Sequence, residues 1–145
     1  MDYIPRTLQV LLVEDNEGDV RLIKEAFSES KIDKNFNVAR DGEDALNYLY
    51  ARGKYTERVK PDIILLDINL PKKNGFEILE DIKNNPELKK IPVIMLSSSS
   101  SEDHVTKSHD LNANCYVTKP VDFDEYTQAV KTIEDFWFQM AKLPG

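Results

Sequence analysis

Five short apolar runs recur along the chain, LQVLLVED, FNVAR, DIILLD, IPVIML and NCYVTK, and most are apolar on consecutive positions. A strand with one face in water alternates apolar and polar residues. Unbroken apolar runs instead predict strands covered on both faces, as in a parallel sheet. Between the runs the period changes to three and four, the spacing of one helix face. Val20, Ile23 and Phe27 follow the first run, Ala45, Leu46 and Leu49 the second, and Phe76, Leu79 and Ile82 the third. Val105 and the segment to Leu111 follow the fourth, and Phe123, Tyr126, Val130, Ile133, Trp137 and Met140 follow the fifth. Five strands alternating with five helices predict an α/β fold with a doubly wound, five-stranded parallel sheet. Right-handed crossovers place helices on both of its faces. The polar segment 52–61, RGKYTERVKP, predicts a surface loop. Ser99 and Glu102 have the spacing of a capping box, with Ser101 the other candidate cap.

Ligands of open parallel sheets bind beyond the carboxyl ends of the strands, so the residues there carry the chemistry. The first run ends in Glu14 and Asp15, the third in Asp67, the fourth in Ser97 and Ser98, and the fifth in Lys119 and Pro120. If the first and third strands are neighbours, three carboxylates converge. Two like charges about 4 Å apart repel by roughly 4 kcal/mol at an effective dielectric near 20. A hard divalent cation such as Mg2+ offsets this, and it also binds a phosphoryl group. Asp67 is then a candidate nucleophile, forming an aspartyl phosphate. Ser97 can donate to one phosphoryl oxygen, Lys119 can pair with another, and backbone N–H groups after Asp67 and around Ser98 can complete the site. Singly, each feature has an ordinary explanation. A strand-end Asp is usually a turn former, and the acids of VEDNEGD suit a helix N-terminus. Their joint occurrence, in order, on the strand ends is what points to a site.

Composition narrows the picture. A chain of 145 residues with 41 % hydrophobic residues suits one folded domain. The net charge of -7 argues against non-specific binding to nucleic acid or an anionic membrane. No stretch approaches membrane-spanning length and the start, MDYIPRTLQV, has no signal-peptide core, so a soluble cytoplasmic protein is expected. The single cysteine, Cys115, forbids an internal disulfide and is expected to be a buried, inert thiol. A flavin binder of similar fold needs a hydroxyl-rich phosphate loop where this chain has acids. A haloacid-dehalogenase-type phosphotransferase needs a second acid two residues after its nucleophile, where this chain has Asn69.

The segments LLVEDNEGD, IILLDINLPKKNGFEIL, IPVIMLSS and YVTKP resemble the receiver domain of two-component response regulators, over nearly the whole chain. The resemblance implies the (βα)5 flavodoxin-like receiver fold. It implies Asp67 as phosphoacceptor and Glu14 and Asp15 as the acidic pair for Mg2+, with Mn2+ able to substitute. Glu14 can act directly or through water. The backbone carbonyl of Asn69 matches the third protein ligand. Ser97 matches the switch hydroxyl, Tyr116 the switch aromatic, Lys119 the phosphate-contacting lysine and Ser98 the small residue beside the phosphoryl group. The Lys119–Pro120 bond matches one that is usually cis. Pro71 is expected to stiffen the exit from the third strand, and Gly75 to turn the chain into the next helix at positive φ.

A narrower resemblance lies in the segment 52–75, the phrase NANCYVTKP and the tail IEDFWFQMAKLPG. These look like the small stand-alone regulators that serve phytochrome-type histidine kinases, although related stand-alone receivers serve other sensors. The implied protein is a single receiver domain over 1–145, phosphorylated by a sensor histidine kinase and switching protein contacts. It is not an enzyme with an external substrate. The alternative is a receiver-like interaction module that works without phosphorylation. Only 25 residues follow Pro120, so no DNA-binding effector and no nucleic-acid partner are expected. A last helix over about 121–140 spans about 30 Å at 1.5 Å per residue. Phe136, Trp137 and Phe138 cannot all share its one buried face, and they are the expected homodimer patch.

Overall fold

The structure, a computed structural model, describes residues 7–30, 32–97, 102–113, 115–118, 124, 127–128 and 130–135. Its strands are β1 (Leu8–Val13), β2 (Lys34–Ala39), β3 (Ile63–Asp67), β4 (Val93–Ser97) and β5 (Cys115–Thr118). Its α-helices are α1 (Glu17–Ser28), α2 (Gly42–Leu49), α3 (Gly75–Lys83) and α4 (Glu102–Asp110). The expected fifth helix is seen as helical backbone over 130–135, and its continuation to 140 lies outside the described residues. The five strands are all parallel, in the order β2-β1-β3-β4-β5. The doubly wound sheet expected from the apolar runs is therefore present, with β1 and β3 side by side at its centre.

Successive strand residues point to opposite faces, so each central strand feeds two cores. Leu11, Val13, Ile64, Leu66, Val93 and Met95 pack with Ala45, Leu49, Ile78, Leu79 and Ile82 of α2 and α3. Val10, Leu12, Ile63, Leu65, Ile94 and Leu96 pack with Val20, Ile23 and Phe27 of α1 and with Val130 and Ile133. Two dry faces explain why the central strands β3 and β4 show no alternation, whereas β2, at the sheet's edge, is only partly buried. The helices begin at polar caps. Asn16 accepts from the Asp19 N–H, Asp41 from the Asp44 N–H, and Asn74 forms a reciprocal capping box with Glu77.

One expectation is corrected and another, the surface loop at 52–61, is met with added structure. Val105 is 42 % exposed, and the buried residue of α4 is Ser108. The helix has no apolar stripe to bury, so the sheet is met by its polar side. Segment 52–61 is more than a polar connection. It contains a 3-10 turn, Gly53–Tyr55, and folds back on α2. The Tyr48 hydroxyl donates to Val59 O at 2.9 Å, and Arg58 donates to Tyr48 O at 2.8 Å and Leu49 O at 2.6 Å. The Tyr55 hydroxyl donates to Asp44 at 2.9 Å; burial first, then that acid, pushes the Tyr55 pKa up to about 12. The expected cap at Ser99 or Ser101 lies outside the described residues. Among the described residues no helix is long and apolar enough to cross a membrane.

Ile78 of α3 is fully buried in the α2–α3 core. Ile78→Ala should cost about 2 to 5 kcal/mol, whereas Val105→Ala should stay within about 0.5 kcal/mol. Urea unfolding should show a lower midpoint at unchanged slope for the first and no resolvable change for the second.

Candidate metal centre

The order β2-β1-β3 makes the carboxyl ends of β1 and β3 the point where the chain winds to opposite sides, the place where α/β sheets form a crevice. Val13 pairs with Leu66 in register, which brings the next residues, Glu14 just past the end of β1 and Asp67 at the end of β3, side by side. Oxygens of Glu14, Asp15 and Asp67 lie within 4.8 Å of one another. Glu14 is fully buried, Asp67 is 3 % exposed, and Asp15 faces solvent. Glu14 is positioned by its backbone N–H, which donates to Ala39 O, and by the Asn16 N–H, which donates to its carboxylate at 3.1 Å. Three oxygen donors at this spacing, two of them on buried side chains, fit a hard cation such as Mg2+ or Mn2+ and no soft one. The three carboxylates expected to meet do meet.

Asp67 is held by its own loop. The Ile68 N–H donates to Leu96 O on β4, and the Gly75 N–H donates back to Ile68 O at 2.8 Å. The role expected for Gly75 is corrected. It is the first residue of α3, and it is absent from the positive-φ positions. A Cβ there would lie 2.4 Å from Asp67 O and 2.8 Å from the Ile68 Cα. Glycine is required because α3 starts hard against the backbone of Asp67. The residue that does adopt positive φ in this loop is Lys72, at 69°. A non-glycine residue there costs about 1 kcal/mol. Asn69 is exposed on the same loop, directly after Ile68.

Ser97 ends β4 and is fully buried; β4 pairs with β3, with Leu96 opposite Asp67. Tyr116 on β5 is half-buried and packs against the α2–α3 core. Ser98, Lys119 and Pro120 lie outside the described residues, as do Phe136, Trp137 and Phe138. Two features were not anticipated. One is the Asn74 cap of α3, which the spacing Asn74-x-x-Glu77 reveals. The other is the contact of loop 68–74 with the N-terminus of α2. No sequence signal pairs those two segments.

Residues 10–131 match the family model of the response regulator receiver domain. Response regulator Rcp1 of Synechocystis sp. (strain ATCC 27184 / PCC 6803 / Kazusa) is 44 % identical over 136 residues, covering 94 % of this chain and 92 % of Rcp1. The crystal structure of the phosphorylated cyanobacterial phytochrome response regulator RcpA matches with a TM-score of 0.88 at 46 % identity, covering 97 % of this chain and all of that one (100 %). The Mn2+-bound form of response regulator Rcp1 matches with a TM-score of 0.85 at 43 % identity, covering 95 % and 99 %.

Clustered carboxylates make metal binding and stability move together. Without metal, Asp15→Asn should melt above the unsubstituted protein, because one repelling charge is gone. Metal at about 100 times its Kd should add about 2.7 kcal/mol to the unsubstituted protein. It should add far less to Asp15→Asn. Scanning calorimetry with and without Mg2+ reads both signs.

Proposed function

The chain belongs to the response regulator receiver family, and on that footing we propose that Asp67 accepts a phosphoryl group from a sensor histidine kinase. The observation that carries this is the convergence of Glu14, Asp15 and a nearly buried Asp67 at the sheet's switch point. An Asp67 carboxylate oxygen forms the O–P bond while the P–N bond of the donor phosphohistidine breaks. The donor imidazole leaves with that electron pair. Glu14, Asp15, Asp67 and the Asn69 carbonyl hold Mg2+, or Mn2+ in its place. When bound there, the ion would neutralise charge on the phosphoryl oxygens. Ser97 donates to one phosphoryl oxygen, Lys119 pairs with another, and Ser98 leaves room for the group. In hydrolysis, water forms the new bond to phosphorus and Asp67 is the leaving group. The protein catalyses its own phosphorylation and dephosphorylation and turns over no external substrate.

Phosphorylation shifts Ser97 and Tyr116 between two arrangements and so changes protein contacts. The chain acts as a single receiver domain over 1–145, in the cytoplasm, without nucleic acid or a membrane. Its likeness to Rcp1 over 92 % of that protein's length supports this reading. The likeness to RcpA, a phytochrome response regulator, supports a phytochrome-type kinase as the phosphodonor. The last helix pairs two copies through Phe136, Trp137 and Phe138.

Incubation with Mg2+ and acetyl phosphate should add one base-labile phosphoryl group, which peptide mass mapping places on Asp67. Asp67→Asn should abolish it. Equal labelling of that variant at another residue at the same rate would remove Asp67 from the role, and absence of label in the unsubstituted chain would favour a phosphorylation-independent module. Sedimentation should show a dimer for the full chain and a monomer for a form ending at Glu134. A full chain that stays monomeric at high concentration, with or without a phosphoryl mimic, overturns the pairing.

A further inference from the structure

The loop from Ile68 to Asn74 rests on the N-terminus of α2. The Gly42 N–H donates to Pro71 O at 3.3 Å. A Cβ added to Gly42 would lie 2.5 Å from Lys73 O and 2.6 Å from the Lys73 Cβ. The two nearest atoms are a backbone oxygen and the root of a side chain, neither free to swing away, and Ile78 Cδ1 follows at 3.1 Å. Beside it, Lys72 Nζ lies 3.6 Å from Asp41 and 3.4 Å from Glu43. Asp41 is also the N-cap of α2, so one residue both starts the helix and holds the loop. Lys72 reaches this pair from a left-handed backbone that lysine does not favour. The Lys73 N–H donates to Pro71 O at 2.8 Å, tightening the turn, and Gly75 closes its far end on Ile68 and Asp67. The loop is thus held between α3 on one side and α2 on the other.

We propose that the N-terminus of α2 is a clamp that sets the position of loop 68–74 at the metal, with Gly42 and Lys72 as its positioning residues. The inference rests on the reading of Asn69 as a metal ligand. Neither residue touches the cation. Each would act by fixing the loop that carries Asn69, the residue read as the backbone-carbonyl ligand. A ligand displaced by a fraction of an ångström weakens metal binding without altering the nucleophile.

The test is direct titration of Mn2+ into the full chain, following the free ion by electron paramagnetic resonance. Gly42→Ala should raise the Kd about tenfold, the scale seen when residues supporting a ligand are lost. Its phosphorylation rate at saturating Mg2+ should return to within about twofold of normal, because the defect is in metal binding. Lys72→Met supplies an independent arm, since its side chain is 57 % exposed and its loss does not endanger folding. Removing a cation near a cation site strengthens binding through the field alone, whereas loss of the clamp weakens it by about twofold, the scale of exposed ion pairs. Weaker binding in Lys72→Met therefore supports the clamp. Binding that is equal or tighter in both variants, with normal affinity in the unsubstituted chain, overturns it. Failure of the unsubstituted chain to bind Mn2+, or affinity unmoved by Asp15→Asn, overturns the metal-site reading instead.

Discussion

The mutual repulsion of Glu14, Asp15 and Asp67 is the constraint on which the carboxyl edge of the sheet depends. Two of the three are buried. They cannot move apart, because β1 and β3 are hydrogen-bonded neighbours with packed cores on both faces. A flexible loop would relieve such crowding by splaying, but a close-packed interior does not. A bound cation offsets that repulsion. Oxygens fixed in advance need no reorganisation when charge arrives, which is the property that electrostatic catalysis requires.

The same edge shows how close backbone approach, and not unusual dihedral angles, selects glycine. Gly75 and Gly42 both lie where a Cβ would fall within 2.6 Å of a neighbouring segment's atoms. Between them, Lys72 adopts the left-handed conformation that glycine would accept more easily. Its ammonium is drawn by Asp41 first and Glu43 second, and their charges raise its pKa. A lysine at that position ties the loop to α2, a contact glycine cannot make.

Switching requires an element that is held loosely enough to move. Among the described residues of α4 only Ser108 is buried, and Val105 is exposed. The Ser108 hydroxyl and His104 Nδ1 are buried with no hydrogen-bond partner. His104 meets the Phe76 ring edge-on at 5.5 Å, and Lys107 sits 4.7 Å from the same ring. Few apolar anchors and unmet polar atoms place α4 at the low-stability end of the fold. Moving a two-state element from 1:99 to 99:1 takes about 5.5 kcal/mol. One hydrogen bond from Ser97 supplies only about 0.5 to 1.5 kcal/mol, so the proposed switch draws on the phosphoryl charge as well.

The apolar runs by themselves determined the parallel sheet, because two-sided burial leaves few polar positions inside the central strands. The order of Glu14, Asp15, Asp67 and Ser97 on strand ends determined which residues to suspect, because strand ends are where such sheets bind. Helical period misled at Val105, since a polar helix can still pack on a sheet through a serine. Spacing also could not reveal that Gly75 and Gly42 are close-approach residues, because glycine at a turn and glycine at a contact look alike in one dimension. Only the tertiary structure decided that β1 lies beside β3, which turns three separate acids into one cluster. Only it brought Lys72 to Asp41 and Glu43, about thirty residues away in the chain. Local pattern records what each segment buries, whereas a site is made of segments that meet, and meeting is a property of the packed chain.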